Sequence, residues 1–164
     1  MKVHRTSDSV SRWWAPTDSL VACIRMHQRY RVQPGIIATA MRKLARFKHR
    51  VWSVLTASDI DPAANLGEGL RMPHPTGIVI HRDAIVGPNC LIMQQVTLGQ
   101  LAGEGAPTLG ANVYVGAGAK VLGAVVIGDG ARIGANAVVL EDVPAGYTAV
   151  GVPARIVRKQ GTLP

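Results

Sequence analysis

A left-handed parallel β-helix, preceded by a short α-helical region, is the fold class this 164-residue sequence predicts. Three observations predict it. From Ile60 onward an aliphatic residue or Met recurs every six residues: Ile60, Leu66, Met72; Ile80, Val86, Ile92, Leu98; Leu109, Val115, Val121, Ile127, Ile133, Val139. Gly follows immediately at 7 of those 13 positions. Four places on stands Ala, Val, Thr or Cys in 11 of the 12 hexads that run uninterrupted. Short strands in a sandwich would alternate with period two, so a period of six selects a solenoid of hexads.

The hexad has a physical reading. Each is one short strand plus a corner, and three close a triangular coil. The aliphatic residue points inward and stacks on its equivalent in the next coil. The small residue fits the corner, and Gly lets the backbone turn or lets a neighbouring coil approach. Coils stack at about 4.8 Å. One hexad cannot bury its own face, so stability comes from stacking four to five coils. The register breaks twice. Two residues are added within Pro73-His74-Pro75-Thr76-Gly77, and a Gly-rich insertion spans Gly99 to Thr108. Insertions in repeat arrays collect on the functional face.

Residues 1–56 read as a basic helical region, 57–158 as the solenoid and 159–164 as a tail. Thr17 and Asp18 are N-cap candidates after Pro16, with Leu20, Cys23, Ile24 and His27 at helical spacing. Pro34-Gly35 breaks this segment. Ile37, Ala40, Met41, Leu44, Val51, Trp52 and Leu55 repeat along one side of a second helix, with Arg42, Lys43, Arg46, Lys48 and Arg50 largely off that stripe. Residues 1–55 hold 11 Lys and Arg against 2 acids, whereas 56–164 hold 7 against 8, so the net +8 sits in the first third. Such a helix is either a solvated basic face or one suited to an anionic membrane surface or an acidic partner. No nucleic-acid reader motif is present, and no nucleic-acid partner is expected.

Composition narrows the class further. Apolar residues make up 48% of the chain, which argues against disorder, and 18 Gly with 10 Pro argue against a helical bundle. No apolar run reaches the length of a membrane span, and Met1 to Pro16 lacks the apolar stretch of a secretory signal. Cys23 and Cys90 are too few for a disulfide framework or a zinc site. A cytoplasmic protein is expected, at most peripheral to the inner face of the membrane.

The coil region holds two histidines, His74 and His81. His74 lies in the first register break between two prolines. Its imidazole is either a general base suited to neutral pH or a surface corner residue. His81 reads as a wall residue. Asp59, 15 residues before His74, lies about one rung away, where it would either support an imidazolium or cap the opening turn. Walker, Rossmann and Gly-x-Ser-x-Gly patterns are absent. Two histidines fall short of a three-histidine metal site, so no metal is expected.

Four strings carry a resemblance: His74-Pro-Thr-Gly-Ile-Val-Ile80, Gln95-Val-Thr-Leu-Gly99, Gly116-Ala-Gly-Ala-Lys-Val-Leu-Gly123 and Val150-Gly-Val-Pro-Ala-Arg-Ile-Val157. Across residues 58–158 the chain resembles the serine acetyltransferase branch of the hexapeptide-repeat acyltransferases. It is also similar to sugar O-acetyltransferases of polysaccharide clusters, which share the Pro-His-Pro form around His74. The resemblance implies acetyl transfer from acetyl-CoA to a hydroxyl by a homotrimer. It places His74 on the catalytic base and Asp59 on its supporting aspartate. Gly99, Gln100, Ala117 and Ala135 fall on positions lining the CoA arm, where small residues let it lie close to the backbone. Arg155, Arg158 and Lys159 would meet the CoA phosphates or form a solvated tail.

The chain departs from the serine branch at the acceptor. Gly105 and Ala106 replace an Arg-His pair, and Pro73 replaces an acid before the histidine. These changes favour a sugar hydroxyl, while the branch itself favours L-serine and cysteine biosynthesis. A non-catalytic β-helix scaffold is the remaining alternative.

Overall fold

The computed structural model describes residues 16–159, so residues 1–15 of the basic region and 160–164 of the tail lie outside the described residues. Two antiparallel helices lead. Helix α1, Pro16–Arg31, buries Leu20, Val21, Cys23, Ile24 and His27, the spacing read from the sequence with Val21 added. Pro16 opens the helix, where its missing N–H costs nothing. Thr17 does not cap it; its hydroxyl reaches Met72 O of the solenoid at 2.6 Å. Helix α2, Ile36–Thr56, closes on Ala57 in the left-handed region, φ 48°. Its buried residues are Ala38, Ala45 and Thr56. The apolar stripe read from the sequence mostly faces outward: Ile37, Leu44, Val51 and Leu55 are exposed, and Ile36, Phe47 and Val54 extend it.

From Asp59 the chain winds into a three-faced prism. The first face stacks β1 (Asp59–Ile60), β3 (Val79–Ile80), β6 (Thr97–Gly99), β9 (Lys120–Leu122) and β12 (Val138–Val139), all parallel. The second stacks β2 (Asn65–Leu66), β4 (Ile85–Val86), β7 (Thr108–Leu109) and β10 (Val126–Ile127). The third runs through β5 (Leu91–Ile92), β8 (Tyr114–Val115), β11 (Arg132–Ile133) and β13 (Tyr147–Gly151), with β14 (Ala154–Lys159) folded back antiparallel on β13. Register confirms the hexad reading. Ile60, Ile80, Leu98, Val121 and Val139 form one inward column. Leu66, Val86, Leu109 and Ile127 form the second. Ile92, Val115, Ile133 and Ala149 form the third. Of these residues only Leu66 is not fully buried.

Corner chemistry explains the small residues. Gly87 follows an inward Val, and a Cβ there would lie 2.3 Å from Gly110 O in the next coil, so only hydrogen fits. At the edge between the third and first faces, one residue per coil takes a left-handed conformation: Gly77, Gln95, Gly118 and Asn136. That turn re-aims the chain into the next strand.

A solenoid leaves carbonyls at its first coil without a donor, because N–H groups at many positions donate to the coil that follows (Asn65 N to Ala84 O, 3.1 Å; Arg71 N to Cys90 O, 2.9 Å) and the first coil has no coil before it. The helices supply the missing donors. Gln28 Nε2 reaches Pro62 O at 3.0 Å and Ala64 O at 2.9 Å. Arg25 reaches Gly67 O at 3.3 Å, and His49 Nε2 donates to Ile60 O at 2.9 Å. The helical pair is thus a cap that satisfies an exposed sheet edge. Both cysteines are free and buried, and burial pushes both thiols above their ordinary pKa.

Candidate active site

His74 stands where the third face passes to the first. Backbone bonds fix that edge as a ladder: Gly77 N to Ala57 O at 2.9 Å, Gln95 N to Thr76 O at 2.9 Å, Gly118 N to Gln94 O at 2.9 Å and Asn136 N to Ala117 O at 2.8 Å. Thr76, Gln94, Ala117 and Ala135 therefore occupy equivalent corner positions, each four residues before an inward residue of the first face. The two added residues form a bulge before Thr76, and the bulge carries His74. Pro75 in the bulge is buried, while His74 is exposed.

The sequence candidates divide between two edges. His74, Ala117 and Ala135 share the third–first edge, with Ala117 about 10 Å and Ala135 about 14 Å up the ladder at the rung spacing. Asp59 lies on β1 of the first face, paired with Val79 and exposed; no hydrogen bond or ion pair joins it to His74. Gly99 and Gln100 lie on the first–second edge instead, where the inserted loop leaves β6. The loop folds along that edge: Glu104 N bonds to Leu101 O at 3.0 Å, and Leu101 and Glu104 lie against Gly123. Gly105 and Ala106 present no charged side chain there. Arg155 is exposed on β14 and donates to Ala154 O at 3.2 Å; the side chains of Arg158 and Lys159 lie outside the described residues. His81 sits on the first–second edge with Nδ1 3.7 Å from Asp83 Oδ2. Among the described residues no three His, Cys, Asp or Glu side chains gather as a metal site.

Two residues along the same edge escaped the sequence reading. Gln94 is one rung above the bulge, and its Oε1 is buried without a hydrogen-bond partner. Lys120 Nζ donates to Gln95 O at 2.6 Å across the same edge. Counting four residues back from each inward residue of the first face would have placed Gln94 in line with Ala117 and Ala135.

The prism is built of hexads, and residues 106–141 match the family model described as bacterial transferase hexapeptide (six repeats). The chain is 43% identical over 150 residues to a serine acetyltransferase of Synechococcus elongatus, covering 89% of this chain and 59% of that protein. It is 45% identical over 141 residues to a serine acetyltransferase of Helicobacter pylori, covering 84% and 78%. A solved serine acetyltransferase in complex with CoA aligns with a TM-score of 0.74 at 36% identity, over 88% of this chain and 58% of that one. The chain belongs to the serine acetyltransferase family.

Proposed function

We propose that the chain transfers the acetyl group of acetyl-CoA to a hydroxyl, with L-serine as acceptor. The observation that carries the reading is the third–first edge, where an exposed histidine shares a column of corner positions with Ala117 and Ala135. The CoA-bound relative supports the donor. In the reaction His74 takes the hydroxyl proton as the oxygen attacks the thioester carbonyl. The tetrahedral oxyanion collapses, the carbon–sulfur bond breaks, and the imidazolium returns the proton to the departing CoA sulfur. Asp59 supports the imidazolium charge from β1 of the first face. The thin pantetheine arm runs past Ala117 and Ala135, and Arg155 faces the CoA phosphates.

A sugar hydroxyl is the second reading, favoured by the loop tip. A free amino acid needs charged partners for its amine and carboxylate, and Gly105 and Ala106 offer none. Coenzyme A release measured with L-serine and with a panel of sugars separates the two. Turnover of serine supports the first, turnover of a sugar alone supports the second, and turnover of neither leaves a non-catalytic scaffold.

A homotrimer follows from the split site. About 16 Å of first face separates the edge of His74 from the edge of Gly99 and Gln100 at strand rise. A three-fold ring sets the first–second edge of one protomer against the third–first edge of the next, which brings both sets to one ligand. Sedimentation should give three times the chain mass; a monomer would remove the shared groove.

The outward stripe of α2 supports contact with the inner face of an anionic membrane. Lys43 and Arg50 flank the stripe on one side and Lys48 on the other, and α2 contains no acidic residue. Two such faces packed on each other would bring cations together with nothing to neutralise them, whereas anionic headgroups match them. No described helix is long and apolar enough to cross a membrane. The chain should float with phosphatidylglycerol vesicles and not with phosphatidylcholine vesicles, and Phe47→Glu should abolish flotation. Equal flotation of wild type and Phe47→Glu would sink the idea.

A further inference from the structure

Where the helical cap meets the solenoid, a cavity of about 290 Å³ is lined by His27 and Arg31 of α1, Arg42 and Arg46 of α2, Asp61 at the first corner of the first coil and Arg82 one coil above it. Four guanidinium groups face a single carboxylate. Asp61 Oδ1 already accepts the Ala63 N–H at 2.7 Å. Among the described residues none of the four arginines is ion-paired, and the one side-chain partner in the group is Thr39 Oγ1, 3.0 Å from Arg42 Nη2. His27 is only 9% exposed, and its Nδ1 is buried with no hydrogen-bond partner.

Arginine cannot shed its proton, so the cluster cannot neutralise itself. The imidazole can: burial first, then the charges of Arg46, Arg31, His49 and Arg42, hold His27 below its ordinary pKa. We propose that this pocket binds a phosphate ester, its oxygens held by Arg31, Arg42, Arg46 and Arg82.

The donor count favours phosphate over carboxylate. One guanidinium fork satisfies a carboxylate, whereas four forks match the several oxygens and doubled charge of a phosphate monoester or pyrophosphate. The cavity volume is at the lower end for small-molecule sites, which suits a phosphate with a small organic substituent. The source is a soluble ester and not a lipid headgroup. Arg42 and Arg46 lie on the side of α2 turned toward α1 and the solenoid, while Leu44, Phe47 and Val51 face the opposite way. A bilayer on that stripe lies across the helix from the pocket. The site is on the first–second edge below the inserted loop.

Titration calorimetry of the full chain at low ionic strength tests it, with pyrophosphate and glucose 1-phosphate as probes and phosphatidylglycerol vesicles as the lipid arm. One soluble ligand per chain is expected. Arg46→Ala and Arg82→Ala should each weaken binding by about tenfold or more, the loss of a charge-assisted bond. Both side chains are exposed, so circular dichroism should show unchanged folding. No heat from either soluble probe at millimolar concentration, unchanged affinity in both variants, or an Arg82-dependent signal with vesicles alone would overturn the proposal.

Discussion

His74→Ala is expected to lower the rate of coenzyme A release by about 10² to 10⁴, the usual contribution of a positioned base, with the melting temperature unchanged. The two halves of that expectation come from one observation. The imidazole is exposed in a bulge that the regular coil does not need, and no hydrogen bond or ion pair holds it. Removing it therefore opens no cavity and leaves no buried group unpaired, so a structural explanation of lost activity would be closed off. The loss should fall on kcat and leave the KM for acetyl-CoA nearly unchanged, because His74 handles the acceptor proton while Ala117 and Ala135 line the donor's path. Asp59→Asn should give a smaller loss of the same kind. A His74→Ala protein that turns over at the wild-type rate would show that the base is elsewhere.

The solenoid was legible because its rule is local and repeated. Each inward residue, from Ile60 to Val139, obeys the same spacing, and errors at single positions such as Leu70 do not erase a period. The two register breaks were legible for the same reason: a strict period makes an insertion visible. The helices were harder to place. The apolar spacing of α2 is genuine, but amphipathicity does not say which side of a helix meets its own chain. Here small residues, Ala38 and Ala45, make the close contact, and the larger apolar side chains point away. Nor could spacing show that Gln28 and His49 cap carbonyls of the first coil, since those pairings join residues far apart in the chain. The site was half legible. His74 drew notice by its chemistry in a break, whereas Gln94 looked like any polar residue until the corner ladder set it beneath Ala117. The arginine pocket was invisible because it joins two helices to two coils, and sequence reading saw only a basic third.

Leu98→Ala should cost about 2–5 kcal/mol, read as a fall in the midpoint of urea unfolding. Leu98 is wholly buried at the middle of the first-face column, between Ile80 and Val121. Relief by collapse is blocked on both sides. His81 N bonds to Leu98 O at 2.9 Å and Thr97 N to Ala119 O at 2.9 Å, so the rungs above and below are held at the strand spacing. The cavity then persists, which places the cost toward the upper end. Against a total stability of about 5–15 kcal/mol that is a large fraction. Because each coil touches only its neighbours, a weak central coil also uncouples the two ends, and the transition should broaden as well as shift. Val126→Ala is the control. Val126 points outward and is 51% exposed, so its loss should stay near about 0.5 kcal/mol. If Leu98→Ala unfolds within error of that control, the rungs must slide to fill the gap. The inward column would then not be what fixes the coils, and the geometry that sets His74 in line with Ala117 and Ala135 would lose its support.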